Sequence, residues 1–223
     1  SLRSGLEQQF LNTRTCYYGG QENTVNTLAT SIVEQILSSK NRFWEPADFN
    51  KSPSRVLHVL GEMVAAGELR RIRRGLYWRG SATPLGMSPP SAEAILAKVV
   101  GKDGVGPSGL YAAYVLRLST QVPRLPEYAV PVRVPENLPG MIVRSRAARW
   151  KRRDAKLRPI EIALLEVLES WSSVIEVSDD QAMKTLRHLL ADGELRSTAL
   201  KAGAGTEPIQ IKRRLEELLV GVT

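Results

Sequence analysis

Cysteine and histidine are scarce in this sequence of 223 residues. The chain contains one cysteine, Cys16, and two histidines, His58 and His188. A disulfide needs two cysteines, and a structural zinc site takes four ligands that are mostly cysteine or histidine. The sequence therefore excludes an internal disulfide and a cysteine-cluster zinc site, and we expect neither a metal nor a cofactor.

Long apolar runs are also missing. Hydrophobic residues make up 43% of the chain, but no run approaches the roughly 20 apolar residues that cross a bilayer. No segment has the charged start and apolar centre of a signal peptide. We therefore expect a cytoplasmic protein without a membrane partner, folded as one large or two modest domains.

Recognisable catalytic sets are absent as well. Ser119 has no adjacent histidine or lysine base, and no paired carboxylates stand in a familiar frame. Residues 104–109 spell G-x-G-x-x-G, but a predicted helix precedes them and Pro107 removes an amide that a phosphate loop would use. We expect no enzyme and no catalytic residues, and we interpret this segment as a turn in which Ser108 caps the next helix.

Basic residues, in contrast, are plentiful. Lysine and arginine number 31 against 23 acidic residues, which gives a formal charge of +8 and a pI near 9.8. Residues 40–80 contain nine basic and four acidic residues, so their net charge of +5 is more than half of the excess. This balance favours nucleic acid or an acidic surface as the partner.

Residues 54–78, SRVLHVLGEMVAAGELRRIRRGLYW, combine an amphipathic helix, a glycine stop and a short hairpin. At helical spacing one stripe of the helix is apolar: Val56, Leu57, Val59, Leu60, Met63 and Val64. Gly67 is expected to end the helix in the left-handed conformation, and the hairpin to turn at Arg74 and Gly75. Its apolar positions are Leu69, Ile72, Leu76 and Tyr77.

The order of elements around this segment is typical of a winged helix-turn-helix. A helix is expected from Thr27, then a short strand at residues 42–44 and a helical turn opened by Pro46. We place an arm at 1–25, the winged helix at 26–80, a linker rich in glycine, proline and serine at 81–90, and an α+β domain at 91–223. In that last domain we expect strands at 127–134 and 141–145 and helices at 91–100, 109–118, 159–171, 179–191 and 207–220.

A near repeat relates LGEMVAAGELR at residues 60–70 to LRHLLADGELR at residues 186–196. The second copy has no arginine hairpin after it. We therefore interpret the match as a coincidence at a glycine stop rather than as a duplicated domain.

The proposed winged helix has two groups of candidate DNA-binding residues. The second helix of a helix-turn-helix turns its N-terminal residues towards base edges, and the wing would bind phosphates. The candidates are Lys51, Ser52, Ser54, Arg55, His58, Arg70, Arg71, Arg73 and Arg74. Arg55 is the candidate for bidentate contact with guanine, and Glu62 is expected to pair with Arg55 or Arg70.

A second basic run, residues 144–158, holds eight positive residues and one negative residue. Its candidate contacts are Arg144, Arg146, Arg149, Trp150, Lys151, Arg152 and Arg153. The run is compatible with nucleic acid held by stacking and phosphate contacts, with an acidic patch on a partner protein, or with a solvated connection. The sequence leaves these three interpretations open.

Two blocks of sequence carry a resemblance to a known family. GELRRIRRGLYW (67–78), GPSGLYAAYVLRLSTQVP (106–123), a strand pair and a helical tail together resemble the AbiEi-type antitoxins of bacterial toxin–antitoxin systems. The resemblance covers roughly residues 27–220. It implies a repressor that binds inverted repeats ahead of its own operon, and an antidote to a toxin that resembles nucleotidyltransferases. The second block would face the toxin, and its candidates are Ser108, Tyr111, Tyr114 and Gln121.

Two other functions stay open beside this one. The winged helix could be a protein-interaction module without specific DNA reading, or the chain could be an antitoxin that modifies its toxin enzymatically, which would require ATP. Neither the operator sequence nor the oligomeric state follows from the sequence.

Overall fold

The computed structural model describes residues 22–134 and 138–220, in two compact units of residues 1–89 and 90–223. Both units combine helices and strands, so the chain has the α+β class that the sequence predicts. No helix among these residues is long and apolar enough to cross a membrane. Most of the predicted arm lies outside the described residues, but the first helix already begins at Glu22.

Residues 22–89, the described part of the first unit, contain two helices, a 3-10 turn and five short strands. They are α1 (Glu22–Leu37), β1 (Arg42–Trp44), the turn Pro46–Asp48, α2 (Pro53–Ala65), β2 (Arg70–Arg73), β3 (Leu76–Arg79), β4 (Ala82–Thr83) and β5 (Gly86–Met87). Strands β1, β3 and β2 form an antiparallel sheet in that order, and β4 pairs with β5 as a separate ribbon.

The core of the first unit lies between α1, α2 and the sheet. Val56, Val59, Leu60 and Met63 of α2 are buried there, and Ile36 and Trp44 are fully enclosed. Leu57, which the helical spacing places on the same stripe, is 43% exposed. It lies at the edge of the stripe, where the neighbouring elements do not cover it, so its predicted burial is wrong.

Gly67 ends α2 in the left-handed conformation, with φ at 74°. The amides of Glu68 and Leu69 both donate to the carbonyl of Met63, which satisfies the open end of the helix. The near repeat has the same local stop at Gly193, where φ is 73°. A short helix, not a hairpin, follows it, so the two copies share a helix end and no larger structure.

The predicted linker is not a plain loop, because β4 and β5 lie within it. The ribbon is tied to the sheet at its base, since Trp78 Nε1 donates to the Ser88 carbonyl at 2.8 Å. A Cβ at Gly80 would lie 2.2 Å from that same carbonyl oxygen. Only glycine therefore lets the chain pass from β3 into the ribbon.

The second unit contains eight helices and three strands among its described residues. They are α3 (Ala92–Val99), β6 (Gly106–Pro107), α4 (Gly109–Val115), β7 (Glu127–Val130), β8 (Ile142–Ser145), α5 (Lys151–Asp154), α6 (Pro159–Glu169), α7 (Trp171–Val174), α8 (Asp179–Ala191), α9 (Ser197–Gly203) and α10 (Ile209–Leu219). The strand order is β6-β7-β8, with β6 antiparallel and β7–β8 parallel.

Helix α6 is the centre of the second unit. Every residue from Glu161 to Leu168 is buried, and α4, α8, α9 and α10 contribute to the same core. The sequence predicts this burial from the apolar residues on several faces of the helix. Strand β7 ends at Val130, earlier than predicted, because Pro131 has no amide to continue the ladder.

Candidate functional site

The outer face of α2 gathers the first group of candidate residues. Lys51, Ser52, Ser54, Arg55 and His58 are all exposed. Ser52 occupies the N-cap position but makes no capping bond, and its hydroxyl lies 3.1 Å from that of Ser54. Pro53 has no amide N–H, and the amides of Arg55 and Val56 donate to the Ser52 carbonyl at 3.1 Å, so a phosphate at this helix start could meet only the amide of Ser54.

Glu62 lies on the same face and contacts His58. Its Oε1 is 3.2 Å from His58 Nε2, and both side chains are exposed. The sequence predicts Arg55 or Arg70 as the partner of Glu62, so this pairing corrects it. The reason is geometric, because residues four apart on a helix are neighbours. Arg55 consequently has no carboxylate partner among the described residues.

The arginine hairpin (β2, β3 and their turn, residues 70–79) holds the second group. A bulge shifts the register between Arg71 and Arg73 and keeps Ile72 inside. Arg70, Arg71 and Arg74 are exposed and Arg73 is half-buried. None of these four arginines has an acidic partner in the described part of the chain, so their positive charge faces solvent.

Arg79, at the end of the same hairpin, behaves differently. Its Nη1 lies 2.9 Å from Glu68 Oε2 and donates to the Glu68 carbonyl at 3.1 Å. This arginine therefore fastens the hairpin to the end of α2. The unpaired charge of the first unit is concentrated on the outer face of α2 and on the rest of the hairpin.

Three of the eight basic residues in the second run turn into the protein. Arg146, Arg149 and Arg152 recur every third residue, and they meet three carboxylates on α6 and beside the start of α10. We call these six residues the Arg/Glu cluster: Arg146, Arg149, Arg152, Glu166, Glu169 and Glu207. The expectation of an exposed basic patch is therefore wrong for these three arginines, because their charge is balanced inside the unit.

Arg152 is the centre of the cluster and is fully buried. Its Nε and Nη2 donate to the two carboxylate oxygens of Glu207 at 2.6 and 2.9 Å, and its Nη1 donates to Glu166 at 2.6 Å. Burial opposes the charge of Glu166, but the hydrogen bonds and charges of Arg146 and Arg152 outweigh it and lower the pKa of Glu166 to about 2.

Two further candidates also meet carboxylates, Ser108 in the interior and Arg144 at the surface. Ser108 is buried, and its hydroxyl donates to Glu166 Oε2 at 2.8 Å. It neither caps α4 nor faces outward, which corrects both interpretations from the sequence. Arg144 pairs with Glu127 across the parallel strands β7 and β8. The remaining candidates of the second run, Trp150, Lys151 and Arg153, face solvent wholly or in part.

The other candidates of the 106–123 block differ in exposure. Tyr114 is 42% exposed on α4, whereas Tyr111 is half-buried with its ring edge towards Tyr128. Gln121 is exposed and donates to Glu176. The amide of Thr120 also donates to Glu176, at 2.8 Å, and these bonds lower the pKa of the Glu176 carboxyl. The loop after α4 is thus held in one conformation.

The sequence carries a signal for the Arg/Glu cluster in helix α6. Glu161 and Glu166 lie in a helix that is otherwise apolar on several faces, and a buried carboxylate needs a charged partner. The partners are Arg196 for Glu161, at 2.7 Å, and the cluster arginines for Glu166. No group of three histidine, cysteine or acidic side chains among the described residues could hold a metal ion.

Comparison with known proteins leaves the family open. No family model matches the chain, and no curated protein matches it. A solved structure, the RV2827C protein from Mycobacterium tuberculosis, matches with a TM-score of 0.48 and 17% identity, over 88% of this chain and 77% of that one. A likeness at this level shows neither a shared family nor a shared function.

Proposed function

We propose that this chain is the antitoxin of a bacterial toxin–antitoxin pair. Its first unit would act as a winged helix-turn-helix that represses its own operon at inverted repeats. Its second unit would neutralise a toxin resembling a nucleotidyltransferase. The family resemblance supplies this pair of roles, and the distribution of paired and unpaired charge supports the first of them.

The observation that carries the proposal is the contrast between two sets of arginines. Four of the six arginines of the second run meet carboxylates within the fold, whereas Arg55 and the hairpin arginines Arg70, Arg71, Arg73 and Arg74 meet none among the described residues. The charges of five unpaired guanidinium groups repel one another, and a nearby polyanion offsets this repulsion. Duplex DNA is such a polyanion, and α2 with a hairpin beyond it is the arrangement that enters a groove and contacts its flanks.

Arg55→Ala is expected to weaken binding to the duplex upstream of the gene by roughly 5- to 150-fold, or about 1–3 kcal/mol, the discrimination of one bidentate arginine–guanine contact. Arg55 is exposed near the start of α2, so the change should leave the fold intact. Fluorescence anisotropy with a labelled upstream duplex and an unrelated duplex measures the effect.

Arg187→Ala is the matched control, because it removes one exposed positive charge from α8 in the second unit. It should leave both affinities within about twofold. Equal, weak binding of wild type to both duplexes would instead favour the alternative, a winged helix that docks protein without reading DNA.

The second unit offers an apolar surface for the toxin around α4. Leu110 and Tyr114 lie exposed one helical turn apart, and Val122, in the loop that follows, is 69% exposed. Arg117 and Arg124 are exposed in the same region and pair with no carboxylate among the described residues. An aromatic anchor flanked by aliphatic and arginine side chains is typical of protein interfaces.

The double variant Leu110→Ser/Tyr114→Ala should lose toxin neutralisation while it keeps operator binding. Removing an interface anchor costs about 2 kcal/mol or more, so toxin affinity should fall at least about thirtyfold. Growth after co-expression with the toxin and titration calorimetry with an inactive toxin measure the two effects.

Ile209→Ser is the control for this surface, since Ile209 is 75% exposed on α10 of the same unit. Full protection by Leu110→Ser/Tyr114→Ala, at wild-type affinity, would place the toxin on another surface.

A further inference from the structure

Two lysine ammonium groups converge on Gly205. Lys212 Nζ donates to the Gly205 carbonyl at 3.1 Å. A Cβ at Gly205 would lie 2.7 Å from Lys151 Nζ, so the second ammonium lies where a side chain would otherwise be. Neither lysine pairs with a carboxylate among the described residues. Two like charges are thus held near one backbone carbonyl.

Trp150 lies beside this pair. Lys151 Nζ lies over one face of its ring, 5.8 Å from the ring centre, and the side chain is 48% exposed, so the other face is the one on which a base could stack. The three other tryptophans donate their indole N–H within the protein: Trp44 to Ser39, Trp78 to Ser88 and Trp171 to Asp179. Trp150 makes no such bond among the described residues. We call Trp150, Lys151, Gly205 and Lys212 the Trp150 surface.

The charge around this surface is positive on balance, although Asp154 lies exposed on the same short helix as Lys151. Arg153 is exposed on the same short helix as Lys151. The neighbouring Arg149 and Arg152 are turned inward to Glu169, Glu166 and Glu207. Those carboxylates therefore neutralise the inner arginines and are not available to the lysines outside. The outer cations are suited to an external anion.

We propose that the Trp150 surface binds single-stranded nucleic acid, with a base stacked on Trp150 and the adjoining phosphate held between Lys151 and Lys212. A flat aromatic ring beside cations is the combination that takes up an unpaired base and its backbone. A paired base in a duplex has no open face to offer the indole. The proposal does not depend on the antitoxin function or on operator binding.

The surroundings of Trp150 favour nucleic acid over an acidic protein. Residues 143–208, all of which the structure describes, contain one exposed large hydrophobic side chain, Trp150, and the next along the chain is Ile209, 75% exposed on the same helix as Lys212. Protein interfaces are depleted in lysine and bury several apolar side chains around their anchor, whereas this surface has two lysines beside one aromatic ring. An acidic protein partner is the competing occupant in the test.

The test uses the full chain, a fluorescein-labelled oligouridylate of 12 nucleotides, a duplex of the same length and a polyglutamate peptide. Trp150→Ala should weaken oligouridylate binding by about tenfold and leave duplex binding within about twofold. Lys151→Ala/Lys212→Ala should make the slope of log affinity against log salt shallower by about 0.7, since the two lysines hold one phosphate and each phosphate contact on a single strand contributes about 0.7.

Two controls separate stacking and local contact from general charge. Trp150→Phe keeps an aromatic face, so it should retain most of the affinity while it loses the quenching of tryptophan fluorescence by the oligonucleotide. Lys184→Ala/Arg187→Ala removes two exposed charges from α8 and should leave the slope unchanged. Equal oligouridylate affinity of Trp150→Ala and wild type, or tighter binding of polyglutamate that is lost in Trp150→Ala, would overturn the proposal.

Discussion

Arg152→Ala will destabilise the second unit by about 3–5 kcal/mol, the typical loss when one member of a buried ion pair is removed. Arg152 is fully buried and donates three hydrogen bonds to Glu166 and Glu207. Without it, Glu207 keeps only Arg149, at 3.4 Å. The loss would come mainly from leaving buried negative charge poorly compensated, and less from the attraction itself.

Hydrogen exchange of the α6 amides measures this effect, because α6 is the most buried helix of the unit. Arg153→Ala is the matched control: it removes the same charge one residue away from an exposed side chain, and should change stability by less than about 0.5 kcal/mol. Equal protection of α6 in Arg152→Ala and wild type would show that the Arg/Glu cluster does not stabilise the unit.

The same cluster determines how the stability of the second unit depends on pH in the acid range. The pKa of Glu166 is lowered from 4.5 to about 2 in the fold, so folding favours its ionised form. This contribution to stability is complete above pH 4.5 and is lost as the pH falls towards 2. In Arg152→Ala the pKa of Glu166 should rise, and the acid-dependent loss measured by exchange should become smaller.

Charge counting alone could not locate the Arg/Glu cluster. Eight of the fifteen residues at 144–158 are basic, and this density suggests an exposed patch. Whether an arginine faces outward depends on carboxylates that come from α6 and from Glu207, far along the chain. The spacing of Arg146, Arg149 and Arg152 indicates a shared side, but it does not indicate that the side faces inward.

Local signals, in contrast, predicted the first unit well. The stripe of α2, the left-handed Gly67 and the buried hairpin positions depend on residues close in sequence, and the structure confirms them apart from Leu57. The parallel pairing of β7 with β8 was not predicted. Which strands pair depends on how the whole unit packs its core, and the periodicity within one strand carries no information on its partner.

Neutralising the hairpin arginines is expected to have the second large effect, which is on the salt dependence of duplex binding. The triple variant Arg70→Gln/Arg71→Gln/Arg74→Gln removes three exposed charges that have no acidic partner among the described residues. Each phosphate contact on a duplex contributes about 0.9 to the slope of log affinity against log salt, so the slope should become shallower by about 2.7. Ile72, Leu76 and Tyr77 hold the hairpin in the core, so its fold should persist.

This variant separates phosphate contact from base reading, the two parts of duplex binding that we propose for the first unit. Phosphate contacts carry no sequence information, so the triple variant should weaken binding to the upstream and unrelated duplexes by the same factor. Arg55→Ala should instead reduce the ratio of the affinity for the upstream duplex to the affinity for the unrelated duplex. It should change the slope of log affinity against log salt by less than about 1. A control that removes three exposed charges from the second unit, Lys102→Gln/Lys184→Gln/Arg187→Gln, should leave the slope within about 0.5 of wild type. If that control flattened the slope as much as the hairpin variant, the salt dependence would reflect net charge, and the hairpin would have no specific place on the duplex.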